Sequence, residues 1–289
     1  MDKNEKLNLI VLLTVISTTS YALEEDHHKH VGNTNIKINY GTLDFENSKK
    51  KDNGKRYGIE LDHQDHKHHY QFYYEETYTD TTKRLNKDLE VKKHTLKYQY
   101  NISKKNNLSL SYANIDDNLM KETDGGHIYG LGYRYKTLSL TQYLSDYKNF
   151  DVYQSDLKLG FKKKFNNIEF ISAVIGKYIH LNDKNSNNFS KKAKNNYFSL
   201  GLKGHAHYKG YHLGVGTYLG ERIFAVMNEG LKVQHHAMEF KESYMLGIGK
   251  KIDNFLIHLR YAQHKAKEVP INNDNVKVKN IMLEIDYKF

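Results

Sequence analysis

The residues of this 289-residue chain best suited to chemistry are its 17 histidines, several of which fall in short groups. His205 and His207 share one face of an extended segment, and His212 can approach them across a hairpin, so the three form one candidate metal set. His63, His66 and His68 form a second, with His69 beside them and His27, His28 and His30 further upstream. Neutral imidazole ligates Zn, Cu or Ni, so a metal-handling role is one reading of these groups. The other reading is a hydrophilic turn: the spacings match no zinc signature, there is no Cys, and no cofactor is implied. A second kind of chemistry needs paired carboxylates. Asp116 and Asp117 with His127 or His180 could serve as general acid and base, but adjacent residues point in different directions. No Ser, His and Asn arrangement accompanies them, and catalysis is not expected.

The elements that must position these residues show a period of two. Ile36, Ile38 and Tyr40 alternate with Lys37 and Asn39; Tyr129, Leu131, Tyr133 and Tyr135 alternate with Gly130, Gly132 and Arg134. Similar runs recur along the chain, giving about fourteen strands of the roughly ten-residue type that crosses a membrane as a barrel. A mean hydropathy of −0.78 is too polar for a helical membrane protein, and no window holds the roughly 18 apolar residues of a spanning helix. The beginning of the chain differs. Lys3 and Lys6, the apolar stretch Leu7 to Ile16 and the small residues leading to Ala22 form the three-part plan of a secretory signal peptide over residues 1–22. Residues 23–35 then read as a His-rich periplasmic tail and 36–289 as the barrel. With no Cys in an exported chain, disulfides do not hold the fold.

The connections alternate in length, as they do in such barrels. Short turns are expected at His63 to His68, Ile102 to Asn107, Lys136 to Thr137, Lys162 to Asn167, Tyr208 to Gly210 and Lys250 to Asn254. Longer polar loops are expected at Glu46 to Lys55, Tyr78 to Glu90, Asp116 to Gly125, Asp146 to Asp151, Leu181 to Asn195, Arg222 to Ala237 and His264 to Asn275. The fold class is therefore all-β: a transmembrane antiparallel up-and-down β-barrel of about fourteen strands, with short periplasmic turns and long extracellular loops. A soluble sandwich does not need outward Tyr and Leu of one parity, and a solenoid needs a fixed repeat that is absent.

The last nine residues, IMLEIDYKF, carry a resemblance. Phe289, Tyr287, Ile285, Leu283 and Ile281 resemble the carboxy-terminal assembly signal of outer-membrane β-barrel proteins. That resemblance implies recognition by the barrel-assembly machinery and a place in the outer membrane. In strand number and short tail the chain also resembles fourteen-stranded monomeric porins of the OmpG type, which implies a passive channel for small hydrophilic solutes. FadL-type transporters have an amino-terminal hatch for which the segment before the first strand is too short.

If the apolar parity faces lipid, the other parity lines a lumen. That face carries Lys37, Arg56, Glu60, Glu75, Lys93, Lys97, Arg134, Asp156, Lys158, Glu169, Lys177, Lys203, Arg260 and Glu284. A barrel this wide with a charged interior implies water and an open passage, with a slight basic surplus favouring anions. The net charge of +10 comes largely from loop lysines. An exported barrel meets no nucleic acid, so lipid and lipopolysaccharide phosphates are the expected partners of those lysines. A metal-binding barrel using its periplasmic histidines, or an adhesin using its Lys-rich outer loops, stays as the alternative, and an outer-membrane enzyme as a weaker one.

Overall fold

The computed structural model describes residues 32–82, 87–119, 122–184 and 192–289. The signal peptide expected at 1–22, most of the tail expected at 23–35, and His27, His28 and His30 lie outside the described residues. The barrel strands are β1 (Asn33–Glu46), β2 (Lys51–Gln64), β3 (His68–Thr81), β4 (Leu89–Asn101), β5 (Asn106–Asp117), β6 (Gly126–Tyr135) and β7 (Leu138–Asp146). They continue with β8 (Phe150–Phe165), β9 (Ile168–Asp183), β10 (Asn196–Tyr208) and β11 (Tyr211–Arg222). Two short strands, β12 (Val226–Met227) and β13 (Lys232–Val233), intervene before β14 (Met238–Ile252), β15 (Phe255–Glu268) and β16 (Asn273–Lys288) complete the wall. Fourteen antiparallel strands thus follow one another in chain order, and β1 closes on β16. The closing register runs from Asn35 opposite Lys288 to Glu46 opposite Lys277. The Phe289 N–H adds a bond to the Thr34 carbonyl at 3.0 Å.

Alternation decides which face each side chain takes. Leu96, Leu110, Leu131, Leu140, Leu157, Leu213, Leu246 and Leu259 are exposed on the outer wall, as are Ile281, Leu283 and Ile285 of β16. Such a continuous apolar surface is a hazard in water and a requirement in lipid. Tyr70, Tyr133, Tyr135, Tyr208 and Tyr211 ring the end bearing the tight turns, and Tyr78, Tyr129, Tyr153, Tyr178 and Tyr244 lie towards the other. These are the aromatic girdles that place a barrel between two interfaces. The tight turns are local in origin. Lys209 and Gly210, with φ of 47° and 80°, join β10 to β11 in the primed-turn geometry that matches strand twist. The Asp65 carboxylate accepts from the Lys67 and His68 amides between β2 and β3.

Two differences from the sequence expectation have physical causes. The strands run longer than expected, from 9 to 16 residues, and β1 starts at Asn33. Segments read as loops, such as Lys51 to Lys55, Tyr78 to Thr81 and His264 to Glu268, are strand ends. Beyond the lipid both faces of a strand are wet, so the alternation fades while backbone pairing continues. Cross-strand ion pairs such as Lys265 with Glu242 (2.9 Å) and Lys279 with Glu46 hold these ends. The second difference lies inside. The inner face of the outer half is not polar throughout but carries an apolar core: Leu89, Val91, Ile115, Ile128, Tyr147, Phe150, Val152 and Ile179 surround Ile223, Phe224, Ala225 and Val226.

The two faces predict opposite responses to the same charge. Leu131→Arg, in the middle of the outer belt, is expected to lower stability by about 2–4 kcal/mol in urea unfolding from lipid vesicles. Thr141→Arg, on the inner face opposite Gly132 and Asp156, is expected to leave the unfolding midpoint near that of the unmodified protein.

Candidate functional site: a basic lumen crossed by one loop

The segment between β11 and β14 carries an apolar run, Ile223 to Met227, that no solvated loop needs. Its first four residues are at most 1% exposed, packed on the inner wall rather than in water. Burying each large apolar side chain contributes about 1.5–3 kcal/mol, which draws the loop inwards. There it forms a hairpin, with Val226 opposite Val233 and Met227 opposite Lys232. The tip has three successive residues of positive φ: Asn228 (50°), Glu229 (57°) and Gly230 (102°). Asn and Gly tolerate that region, whereas Glu229 is held in it against its preference. Gly230 is required twice over, because a Cβ there would lie 2.7 Å from the Ser111 hydroxyl of β5.

Polar contacts fix the hairpin to the wall on several sides. Gln154 of β8 accepts from the Val226 amide and donates to its carbonyl, both at 2.8 Å. Lys177 donates to the same carbonyl at 2.9 Å while its ammonium pairs with Asp156. Glu229 pairs with Lys158 and lies 3.6 Å from Lys97, and Lys203 donates to the Asn228 carboxamide oxygen at 3.2 Å. Across the lumen, Lys93 donates to the Val233 carbonyl and to His235 Nδ1, each at 3.2 Å, and Lys51 donates to His236 Nδ1 at 3.1 Å. The electrostatics of the loop follow from these neighbours. Burial pushes the Glu229 carboxyl up, but Lys158, Lys97 and Lys203 outweigh it and hold the group down to about 2. Burial, with Arg56 beside it, pulls the Lys232 ammonium down to about 7. Burial also holds the His235 and His236 imidazoles well below their ordinary range, so both stay neutral acceptors for the lysines.

Among the described residues, two cavities flank the hairpin. The larger, 670 Å³, is lined by Lys97, Arg134, Lys136, Lys158, Lys162, Lys177 and Lys203 against Asp156 and Glu229 alone. The smaller, 400 Å³, is lined by Arg56, Lys93, Lys203, Lys232 and Arg260 against Glu75. Both walls are therefore basic.

The charged residues singled out in the sequence sit on this inner parity. Lys93, Lys97, Asp156, Lys158, Lys177 and Lys203 meet the loop or its anchors. Elsewhere on the wall, Lys37 pairs with Glu60 at 3.3 Å, Arg56 lies 3.8 Å from Glu75, Arg260 pairs with Glu284, and Lys162 pairs with Glu169 at 2.9 Å. The histidines are placed differently from one another. His207 and His212 have ring centroids 4.3 Å apart, His212 and His258 5.3 Å, and His205 stacks on His207 at 6.5 Å. His63 instead bonds the Thr34 hydroxyl at 2.9 Å and His68 the Tyr98 hydroxyl at 2.8 Å. Among the described residues, no group of three or more His, Cys, Asp or Glu is arranged to hold a metal ion. The carboxylates Asp116 and Asp117 take opposite faces of β5, the first exposed and the second buried, while His127 bonds Tyr112 and His180 bonds Asn196. Sequence reasoning expected Arg222 to Ala237 as a polar outer loop and missed its inward course, whose signal was its run of apolar residues.

No family model matches the chain, and no curated protein matches it. Among solved structures, the toluene transporter TbuX of Ralstonia pickettii aligns with a TM-score of 0.51 at 8% identity, over 90% of this chain and 90% of that one. The outer membrane protein Omp33 of Acinetobacter baumannii aligns at 0.48 with 10% identity, over 89% and 99% of the two chains. OccK8 of Pseudomonas aeruginosa aligns at 0.43 with 9% identity, over 89% and 98%. At these identities the likeness concerns the fold. Closed antiparallel wall, apolar belt and aromatic girdles together define the class: this chain is a fourteen-stranded transmembrane β-barrel of the outer-membrane type.

The loop's anchoring is open to a direct test. Phe224→Ala removes a buried ring from the inner core, a change that costs about 3–5 kcal/mol in such surroundings. Hydrogen exchange is expected to rise across residues 223–237 while the wall strands stay protected and heat-modifiable gel migration is kept.

Proposed function

We propose that the chain is a diffusion channel for small hydrophilic solutes whose aperture is set by the loop Ile223–Ala237. The observation that carries this reading is the contrast inside the barrel. A charged wall encloses two cavities, and a single hairpin held by side-chain contacts crosses the lumen between them. A rigid filled core would use interlocking apolar side chains throughout, as small barrels do. Here the inward-facing positions away from the apolar core carry Lys, Arg, Ser, Thr and Gly, the side chains of a wetted wall. The same wall opposes a purely apolar cargo, so the solute named for TbuX is not carried over. A catalytic reading has less support, because the candidate carboxylates Asp116 and Asp117 do not converge.

Two partners belong to the same reading. Phe289, Tyr287, Ile285, Leu283 and Ile281 serve as the signal read by the barrel-assembly machinery, with Tyr287 and Phe289 forming an edge contact at 4.9 Å beside Phe255. Exposed lysines of the outer rim, such as Lys87 and Lys192, meet lipopolysaccharide phosphates.

Single-channel recording of the refolded protein in a planar bilayer tests the channel. Stable open steps are expected, with a larger main conductance when Met227 to Lys232 is shortened to a tight turn. Glu229→Gln is expected to raise the open fraction, because it removes the carboxylate that Lys158 and Lys97 hold. Electrical silence from the shortened variant, shown to be folded by gel migration, removes the reading.

A further inference from the structure

Both cavities hold more cations than carboxylates, and they differ in what surrounds those cations. In the larger one Lys158 and Lys97 share Glu229, and Lys177 has Asp156. In the smaller one the surplus stands among apolar side chains. Glu75 is taken by Lys93 and lies 3.8 Å from Arg56, whose terminal nitrogen rests 3.2 Å from the weakly accepting Met282 sulfur. Arg260 spends a terminal nitrogen on Glu284. Arg56 Nε, 3.8 Å from Glu75, Arg260 Nε and His235 Nε2 are buried behind the cavity surface and make no hydrogen bond. His235 Nδ1 accepts from Lys93, so its Nε2 carries the proton and donates. Lys232 joins them, with no carboxylate within ion-pair distance among the described residues and its ammonium 5.0 Å above the Tyr73 ring.

Arg56, Arg260 and Lys232, with Lys93 and Lys203 beside them, line the cavity against the carboxylate of Glu75, so its positive charge exceeds its negative and an anion is the missing partner. The first three come from β2, β15 and the loop hairpin, so no single strand's register produced them by accident. The rest of the lining is apolar and soft, with Met227, Phe240, Met245 and Met282 among it. Cavities of this size, apolar with a few polar groups that converge, hold small organic molecules.

We propose that the 400 Å³ cavity is a binding site for a small organic anion with an apolar body, a monocarboxylate, held by Arg56, Arg260 and Lys232 with its hydrocarbon part against the methionines. The site deepens the channel reading, on which it rests for the route by which the anion arrives and leaves. A carboxylate accepts from several donors at once and neutralises the surplus charge, which neither water nor an alcohol does. The apolar wall separates this ligand from an inorganic anion: chloride would meet the cations but leave the methionines facing water.

Calorimetry on the detergent-solubilised full chain, against a protein-free micelle blank, tests the site with hexanoate as probe and with hexan-1-ol, acetate and chloride beside it. Hexanoate is expected to bind, and the three others at least about tenfold more weakly, since each lacks one half of the match. Lys232→Gln is expected to weaken hexanoate about tenfold while the barrel keeps its heat-modifiable migration, because Lys232 lies on the loop and in no wall strand. Equal binding of hexan-1-ol means an apolar void, equal binding of acetate or chloride means a bare cationic patch, and either result overturns the proposal. Unchanged hexanoate binding in Lys232→Gln does so too. The two readings fail separately. A protein that conducts without binding hexanoate loses this site and keeps the channel, whereas one that binds hexanoate in silence keeps the site and loses the channel.

Discussion

Everything in this molecule depends on one pairing, that of β1 with β16. Within a bilayer no water is present to satisfy a backbone N–H or C=O, and each unpaired group costs several kcal/mol, so an open sheet cannot remain there. Twelve successive residue pairs between Asn35–Glu46 and Lys277–Lys288 remove the last two edges. Once the sheet is closed, the pleat assigns every side chain to lipid or lumen with no third choice, and a slip of one residue would exchange the two. The register of β16 therefore decides at the same time that Ile281, Leu283 and Ile285 face lipid and that Met282 and Glu284 face the interior.

Closure at this strand number creates a second problem, an interior too wide for wall side chains to fill. The chain solves it differently at its two ends. Towards the tight turns the wall is polar, with Lys37, Glu60 and Glu284 among its inner groups. Towards the other end the inner positions turn apolar, through Val91, Ile115, Ile128, Val152 and Ile179, and a width that wall residues cannot bridge is bridged by Ile223 to Val226. The hydrophobic effect thus operates twice in one protein, outwards against lipid and inwards against the loop. The hairpin is positioned by the same force that drives an ordinary core, and its polar contacts orient it once it is there.

The pattern of residues shows the wall plainly and the loop poorly, for physical reasons. A strand with one face in lipid and one in water has a period of two that survives any tertiary context, so the inner parity that includes Lys93, Lys177 and Arg260 can be counted off. Strand ends cannot be counted in this way: where Lys51 to Lys55 or His264 to Glu268 leave the lipid, both faces meet water and pairing persists without a hydropathy signal. The loop is harder still, since its place depends on contacts between residues far apart in the chain, such as Gln154 with Val226. Composition held one clue. A run of Ile223, Phe224, Ala225, Val226 and Met227 in a connection otherwise polar has no reason to stay in solvent, and inner residues such as Val91 and Ile115 break the polar parity where that run would dock. The histidines gave the opposite lesson, because a shared face brought His205, His207 and His212 near one another without producing a ligand geometry.

The hairpin also sorts the charge of the lumen. Its single carboxylate, Glu229, is turned to the larger cavity, where Lys158 and Lys97 are its partners, and its single ammonium, Lys232, is turned to the smaller one. Docked, the loop compensates one side and adds to the surplus on the other. Undocked, it would withdraw Glu229 and leave Lys97, Lys158 and Lys203 facing one another across a narrow space, where like charges repel more strongly than in bulk water. The docked and undocked states therefore differ in their affinity for anions on the larger side, and any solute that binds those lysines shifts the balance towards undocking by that difference. On that side the basic wall is neutralised by the loop's own carboxylate while the lumen is crossed, so the position of the hairpin and the charge of the wall are one property rather than two.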